Sequence, residues 1–181
     1  MTASLFIVLC ILAVLLVYLA IAVRTWAQVH GARLVVCPET RLAAAVQVDA
    51  GHAIVSALWD QTDVRLTSCS RWPERGACEQ PCAGQILIAP SDTSPRLIAS
   101  RFFSKARCAI CGRPTGPLSR VTLQPGFMEP DTRQVDTWDD ITPDALPRAI
   151  ATWRPLCSNC TLAESFRHKF PDRVTDRERH G

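Results

Sequence analysis

The chain of 181 residues lacks the short motifs that mark common enzyme families. It contains no G-x-S-x-G nucleophile elbow, no H-E-x-x-H metal-binding helix and no glycine-rich phosphate loop. None of its histidines stands at metal-ligand spacing with an acidic partner; the four are His30, His52, His168 and His180. The sequence therefore offers no catalytic residue and no small-molecule substrate, and it favours a role other than catalysis.

A large excess of charge of one sign is also missing. The chain has 20 Lys and Arg against 17 Asp and Glu, which leaves a net charge of +3. Nucleic-acid-binding proteins usually carry a strong and clustered basic excess, so we expect no nucleic-acid partner. A content of 48% hydrophobic and 20% charged residues excludes disorder for most of the chain.

The first 23 residues contain no charged side chain at all. Residues 4–23 form a continuous apolar run, and as a helix this run is about 30 Å long, which matches the hydrocarbon core of a bilayer. The pattern predicts a transmembrane helix over residues 1–23. A buried core helix is seldom apolar on every face, which disfavours that alternative.

A cleaved signal peptide is the more serious alternative. Ala20-Ile21-Ala22 offers a small-x-small cleavage site. However, the run is longer than a normal signal-peptide core, and no basic residue precedes it. We therefore favour a retained helix, and N-terminal sequencing would separate the two alternatives.

Basic residues near the apolar run predict the orientation of the protein. None precedes the run, whereas Arg24, Arg33 and Arg41 follow it. By the positive-inside rule, we expect a single-pass membrane protein with its C-terminal domain in the cytoplasm. Trp26 stands where an interfacial aromatic anchor is expected.

Nine cysteines are unusual for a cytoplasmic domain and call for a chemical explanation. Cys10 lies inside the apolar run, where it acts as a small apolar residue. The other eight divide along the chain into an N-terminal and a C-terminal group of four: Cys37, Cys69, Cys78 and Cys82, then Cys108, Cys111, Cys157 and Cys160.

The C-terminal group has the spacing of a metal site. Both of its pairs are C-x-x-C, and Gly112 directly after Cys111 relieves crowding where the chain turns. Four thiolates satisfy the tetrahedral preference of zinc, and a helix starting at the second pair would add a favourable dipole. This half of the chain, over about residues 105–170, resembles a zinc-ribbon or treble-clef module. Two redox pairs or two disulfides are the alternatives, and stable disulfides are rare in the cytoplasm.

The N-terminal group has no C-x-x-C pair and lies partly in a turn-rich segment, residues 70–82. Four thiolates could hold zinc or an iron–sulfur cluster, so we predict a second metal site and leave the metal open. Disulfides or an empty site remain the third alternative. Cys78 and Cys82 would share a face if they lay on one helical turn.

The fold class that these features predict is α+β: a transmembrane helix followed by a small, loop-rich, metal-stapled domain. We divide the chain into residues 1–23, 24–91, 92–170 and a charged tail, 171–181. Strands are expected over residues 33–38, 43–49, 63–68 and 118–123. Helices are expected over residues 52–59, 95–105, 142–153 and 160–169. Residues 86–90 read as a short strand or helix end, and residues 126–136 read as a loop.

Together these observations predict a membrane-anchored zinc protein that acts as a binding or assembly module. Its partners would be the membrane and another protein. The alternative is an electron-transfer or redox-sensing membrane protein that uses an iron–sulfur cluster at Cys37, Cys69, Cys78 and Cys82, or its thiols.

Overall fold

The computed structural model describes residues 2–72, 78–119 and 123–173. It divides into two compact units, Met1–Pro95 and Arg96–Gly181. Both contain helices and strands, so the chain is a mixed helix and sheet protein with one apolar N-terminal helix.

The apolar run forms helix α1, Thr2–Val29, which is longer than predicted from the run itself. No residue in the most apolar stretch of α1 is buried within the chain. By its length and composition, α1 is a candidate membrane span. Only its last third is covered by protein, on one face: Ile21, Ala22, Thr25, Gln28 and Val29. The side chains of residues 3–20 of the helix are all exposed.

Three strands form an antiparallel meander in the first unit. They are β1, Ala32–Val36, β2, Ala43–Val48, and β3, Leu66–Cys69, in the spatial order β1-β2-β3. Helix α2, Ala50–Trp59, connects β2 to β3, and its N-cap Asp49 accepts a hydrogen bond of 2.9 Å from the His52 backbone N–H. The capping carboxylate satisfies one free amide of the helix start.

Helix α3, Ala83–Ile88, covers the open edge of β1. The Gln85 side chain accepts from the Val36 backbone N–H at 3.0 Å and donates to the Val36 carbonyl at 2.7 Å. The Leu34 backbone N–H donates to the Thr93 carbonyl at 2.7 Å. These bonds block a strand edge that would otherwise be open to pairing with another chain.

The core of the first unit lies between the sheet and the helices. Its most enclosed members are Val29, Val35, Val46, Ala53 and Ile86, each at most 2% exposed. Cys82 belongs to the same cluster, and Cys69 and Trp72 pack against it.

The second unit begins after Pro95, the first residue of helix α4, Pro95–Phe103. Its sheet has the order β5-β4-β6 and is antiparallel. The strands are β4, Gly126–Met128, β5, Val135–Thr137, and β6, Arg154–Leu156. Helices α5, Leu146–Thr152, and α6, Ser158–Lys169, flank β6 in the chain, and a short 3-10 turn follows at Pro171–Arg173.

Aromatic rings form the core of the second unit. Phe103 and Phe127 are both fully buried, with ring centroids 4.8 Å apart. Leu146 and Ala149 of α5 complete the buried cluster, and Trp138 and Trp153 pack against it. The two tryptophans therefore belong to a hydrophobic core that contains no cysteine.

The loop predicted over residues 126–136 is confirmed only for residues 129–134 and is wrong at its two ends. β4 and β5 form a hairpin there, in which Gly126 pairs with Thr137 and Met128 with Val135. On its other side β4 pairs with β6, about thirty residues further along the chain, with Gly126 opposite Leu156. Residues so far apart leave no local signal, and tertiary pairing overrides the weak propensity of the segment.

Other predicted elements shift in detail. The segment 86–90 belongs to a helix, because α3 extends to Ile88. In the segment 118–123, Leu118, Ser119 and Leu123 are not in a strand, and residues 120–122 lie outside the described part. Pro147 delays the fifth helix to Leu146, since proline is tolerated only in the first turn. In the tail, residues 174–181 lie outside the described part.

Candidate metal centre

A tight turn presents the first cysteine pair of the second unit. Arg107 and Pro114 pair as an isolated antiparallel bridge, and the Cys108 backbone N–H donates to the Arg113 carbonyl at 2.8 Å. Gly112 has φ +69°, a left-handed conformation that glycine adopts without a steric penalty. The glycine after C-x-x-C thus closes the turn, as its position in the sequence predicts.

The start of α6 presents the second pair. Cys157 follows β6 directly and is the N-cap of α6, and Cys160 lies in the first helical turn. The buried Thr161 fixes this turn, because its hydroxyl donates to the Cys157 carbonyl at 3.0 Å. Nothing in the sequence marked Thr161 as important to the site, since a threonine in a helix has many other roles.

A hydrogen bond between backbone atoms joins the two pairs. The Ala109 N–H, inside the first C-x-x-C turn, donates to the Pro155 carbonyl of β6 at 2.9 Å. β6 is itself held by β4, so the sheet sets the position of the second pair relative to the first.

The result is a compact group of four thiols, Cys108, Cys111, Cys157 and Cys160, whose sulfur atoms all lie within 4.8 Å of one another. The Cys111 and Cys157 sulfurs are 3.7 Å apart. Zinc bonds sulfur at about 2.3 Å, and a tetrahedron of that size has edges of about 3.8 Å. The separation is too long for a disulfide, whose sulfurs are about 2.05 Å apart.

The thiols of the group differ in exposure and in acidity. Cys108 is 3% exposed, whereas Cys111 is open to solvent. Burial opposes ionisation of Cys108, but hydrogen bonds from the backbone of Cys111, Cys157 and Ile110 outweigh it and lower its pKa to about 6. The group therefore contains one thiol that ionises to a thiolate near neutral pH.

Cys160 shows the opposite behaviour. Burial raises the pKa of its thiol, and hydrogen bonds with Cys157, Cys108 and Cys111 raise it further. Four thiols this close cannot all lose their protons unless a cation compensates the charge, because like charges oppose each other's ionisation. Binding of a divalent cation would release the remaining protons.

The N-terminal cysteines are not drawn together in the same way. Among the described residues, the C-terminal group is the only set of three or more Cys, His, Asp or Glu side chains with all ligand atoms within 4.8 Å. The structure thus brings together four of the eight predicted ligands, and the predicted second site is not shown.

The N-terminal cysteines do nevertheless share one region of the first unit. Cys37 follows β1, Cys69 ends β3, and Cys82 is the buried N-cap of α3. Burial raises the pKa of Cys82, and the charges of Cys69, Cys78 and Cys37 add to this rise. Cys78 precedes α3, and Gln80 lies between Cys78 and Cys82 with φ +58°, a left-handed conformation. Because this conformation interrupts a right-handed helix, the two cysteines do not share a helical turn.

No protein-family model matches the chain, and comparisons with curated proteins and with solved structures find no match either. Its class is defined by its own features: two compact units of mixed helix and sheet, the first of which includes the apolar N-terminal helix and the second a four-cysteine group that could bind a metal.

Proposed function

We propose that this protein is a membrane-anchored zinc protein whose C-terminal unit serves as a binding or assembly module on the cytoplasmic face. The observation that carries the proposal is the group of four cysteine sulfurs within 4.8 Å of one another. Each further part of the proposal rests on its own observation.

Zinc is favoured over an iron–sulfur cluster at the C-terminal group by the spacing of the sulfurs. A cluster places several atoms between its cysteine ligands, whereas a separation of 3.7 Å suits one central ion. Four thiolates leave no open coordination position, so the ion would hold structure and would not activate water. Such sites contribute on the order of 10 kcal/mol to folding, a large amount for a unit with a small core.

The order of elements around the site supports the resemblance to a treble clef. A knuckle carries Cys108 and Cys111, a hairpin follows at β4 and β5, and a helix begins with the second pair. The inserted α5 and the long connection distinguish the chain from the compact form of such modules.

The anchor in this proposal is α1, and the orientation follows from exposed arginines. Arg24 and Arg41 are exposed and can face anionic lipid headgroups. Arg33 is buried and serves the fold: its guanidinium donates to the His30 carbonyl at 3.1 Å and to the Pro90 carbonyl at 3.1 Å. Arg24 and Arg41 are therefore the two residues that support a C-terminal domain on the cytoplasmic side.

A binding role is supported by the exposed side of α6. Leu162 is 52% exposed and Phe166 is 47% exposed, and with Asn159, Ala163 and Arg167 they form an open patch on one face of α6. Because α6 starts at the cysteine group, a metal there would fix the position of this apolar face. An apolar surface held rigidly in this way fits a protein partner.

A second metal at Cys37, Cys69, Cys78 and Cys82 remains part of the proposal. The three other thiols are near enough to Cys82 to influence its charge. The alternative function is electron transfer or redox sensing, through an iron–sulfur cluster at these four cysteines or through their thiols, since four thiolates can also hold such a cluster.

Metal analysis of the full-length protein, purified anaerobically in detergent, tests the proposal. We expect zinc in the wild type, loss of one equivalent in Cys108→Ser, and no loss in Cys10→Ser, whose thiol lies on α1 away from the group. Brown protein with bound iron and broad visible absorption would support the redox alternative. Protein without any bound metal would overturn the zinc proposal and the iron–sulfur cluster, and only redox sensing through the thiols themselves would then agree with the result.

Anchoring and orientation need a separate experiment. We expect the protein to stay in the membrane pellet after alkaline carbonate extraction and to begin at Met1 on N-terminal sequencing. A C-terminal reporter should be active on the cytoplasmic side. A mature chain that begins near Val23 would identify a signal peptide and overturn the anchor.

A further inference from the structure

Helix α2 carries an apolar stripe that has no protein partner among the described residues. Gly51, Val55 and Trp59 stand at i, i+4 and i+8, so they share one face of the helix. Val55 is 57% exposed and Trp59 is 86% exposed. An almost fully exposed tryptophan at the end of an apolar helix costs free energy in water.

The polar side chains of α2 lie elsewhere and are already occupied. The His52 Nε2 is 2.7 Å from the Asp63 carboxylate. The Ser56 hydroxyl donates to the Ala53 carbonyl at 3.0 Å and accepts from the Asp63 backbone N–H at 2.9 Å. The helix thus has a polar side bonded to its own unit and an apolar side that is open.

The open side is continuous with the apolar surface of α1. α2 packs along α1, and Leu58 lines a groove of about 410 Å³ with residues from the middle of α1: Ala13, Val14, Val17, Tyr18 and Ile21. Val17 precedes Arg24 by about 10 Å along the helix axis, at about 1.5 Å per residue. The C-terminal end of α2 therefore lies beside the apolar part of the candidate span.

We infer that the C-terminal end of α2, with Val55, Leu58 and Trp59, inserts into the lipid interface next to α1. The occupant of the stripe is then the bilayer itself, and this inference rests on the proposed membrane anchoring. Interfacial helices bury their apolar face about 5–10 Å below the headgroups, which agrees with the position of Leu58 along α1. The anchor is consequently a helix pair, and the first unit is held against the membrane surface.

Two aromatic residues mark the level of the interface. Tyr18 lines the groove with Leu58, and Trp59 follows Leu58 directly. Tyrosine and tryptophan both prefer the headgroup region, where the ring is partly in lipid and the polar atom reaches water. Trp26, by contrast, stacks on His30 with ring centroids 4.2 Å apart, so this ring already has a protein contact.

Fluorescence quenching in vesicles tests the inference with the full-length protein. The difference in emission between wild type and Trp59→Phe isolates Trp59 and keeps the side chain apolar. We expect lipids brominated near the top of the acyl chains to remove most of the Trp59 emission and aqueous iodide to remove little. Trp26→Phe serves as the matched control, because its difference signal reports a tryptophan on α1 that is stacked on a histidine.

The outcomes separate this inference from the proposed anchoring. If the protein resists carbonate extraction but Trp59 is quenched by iodide and unaffected by brominated lipids, α2 lies in water and the inference is wrong. If neither quencher reaches Trp59 and the protein crosslinks to a second copy through α2, the stripe binds another chain. This result would also overturn the inference that α2 inserts into lipid. Extraction of the protein by carbonate would instead contradict the anchoring itself.

Discussion

At the scale of single residues, the four C-terminal cysteines act as one unit. A backbone hydrogen bond between Ala109 and Pro155 joins the two pairs, and the four sulfurs lie within 4.8 Å of one another. We expect Cys108→Ser and Cys157→Ser to lose the metal and to unfold the second unit to the same extent. The double variant should be no worse than either single variant, because removing one ligand already abolishes the site. Hydrogen exchange of the α6 amides measures this.

Additive and mild effects of the two substitutions would contradict a shared site and favour independent pairs. Cys10→Ser is the control, since Cys10 lies exposed on α1 and we expect its exchange profile to match the wild type.

Gly126 is a position where no side chain fits. A Cβ there would meet the Asp136 carbonyl oxygen and would lie 2.8 Å from the Thr161 Cγ2. Gly126→Ala should therefore force β4 away from both β5 and α6 and cost about 1–3 kcal/mol in the free energy of unfolding. Thermal unfolding in detergent checks the prediction.

Gly84 provides the matched glycine for comparison. It lies exposed in α3, and a Cβ there meets nothing within 4 Å. Gly84→Ala should stabilise the protein by about 0.5–1 kcal/mol through helix propensity. A similar loss of stability in Gly126→Ala and Gly84→Ala would show that the effect at Gly126 does not come from the contact with Thr161.

The carboxylate of Asp63 is expected to make the stability of the folded protein depend on pH. The hydrogen bond with His52 and the charges of His52 and Arg65 hold the Asp63 pKa below its ordinary value. Because the carboxyl pKa is lower in the folded state than in the unfolded state, the ionised carboxylate stabilises the folded protein above about pH 4. This stabilisation is lost as the pH falls through the pKa of the folded state. Asp63→Asn should therefore lower the melting temperature at pH 7 and leave it nearly unchanged at the acidic end.

Asp60→Asn is the control for charge, since it removes a carboxylate that ends α2. We expect no comparable loss at pH 7. A pH-independent difference between wild type and Asp63→Asn would mean that the carboxylate contributes only through packing.

At the scale of secondary-structure elements, periodicity and caps located most helices and strands. β1, β2 and α2 fall within two residues of their predicted bounds, because each has its own apolar pattern and a turn or cap at its end. β4 and β5 escaped prediction, since they are three residues long and exist only through pairing, of β4 with β5 and of β4 with β6.

The junction between α1 and β1 depends on Arg33. Its buried guanidinium donates to the Ala27 carbonyl at 3.4 Å and to the His30 carbonyl at 3.1 Å, at the C-terminal end of α1. A cation there satisfies free carbonyls and interacts favourably with the helix dipole. Arg33→Met should cost about 2–4 kcal/mol, because each hydrogen bond to a charged group contributes about 1.5–3 kcal/mol.

Thermal unfolding of Arg33→Met in detergent measures this loss. Arg24→Met removes an exposed arginine from the same helix and should have little effect on unfolding. Equal melting temperatures for the two variants would contradict the role of Arg33 as a clamp.

At the scale of the whole molecule, folding and metal binding are expected to be coupled. An ion that binds only the folded state stabilises it by about 2.7 kcal/mol at a free concentration of one hundred times its dissociation constant. Chelation should therefore lower the melting temperature, and zinc should restore it. Cys108→Ser should show a much smaller response to either treatment, and an identical response would place the stabilising ion elsewhere.

The sequence by itself determined the apolar N-terminal helix, the two C-x-x-C pairs and the glycine that closes the first knuckle. These features are local, because a continuous apolar run, a two-residue spacing and a positive φ need only neighbours in the chain. The spacing of these pairs also predicted that Cys108, Cys111, Cys157 and Cys160 form one group, which is confirmed, but only the tertiary structure supplies the contacts that bring them together. Pairing of β4 with β6 and the Ala109–Pro155 bond carry Cys157 and Cys160 to Cys108 and Cys111, across a separation that no local pattern encodes. The N-terminal cysteines lie in one unit whose elements are also joined, by the Gln85–Val36 bonds and by the pairing of β2 with β3, but among the described residues their sulfurs are not gathered as the C-terminal four are.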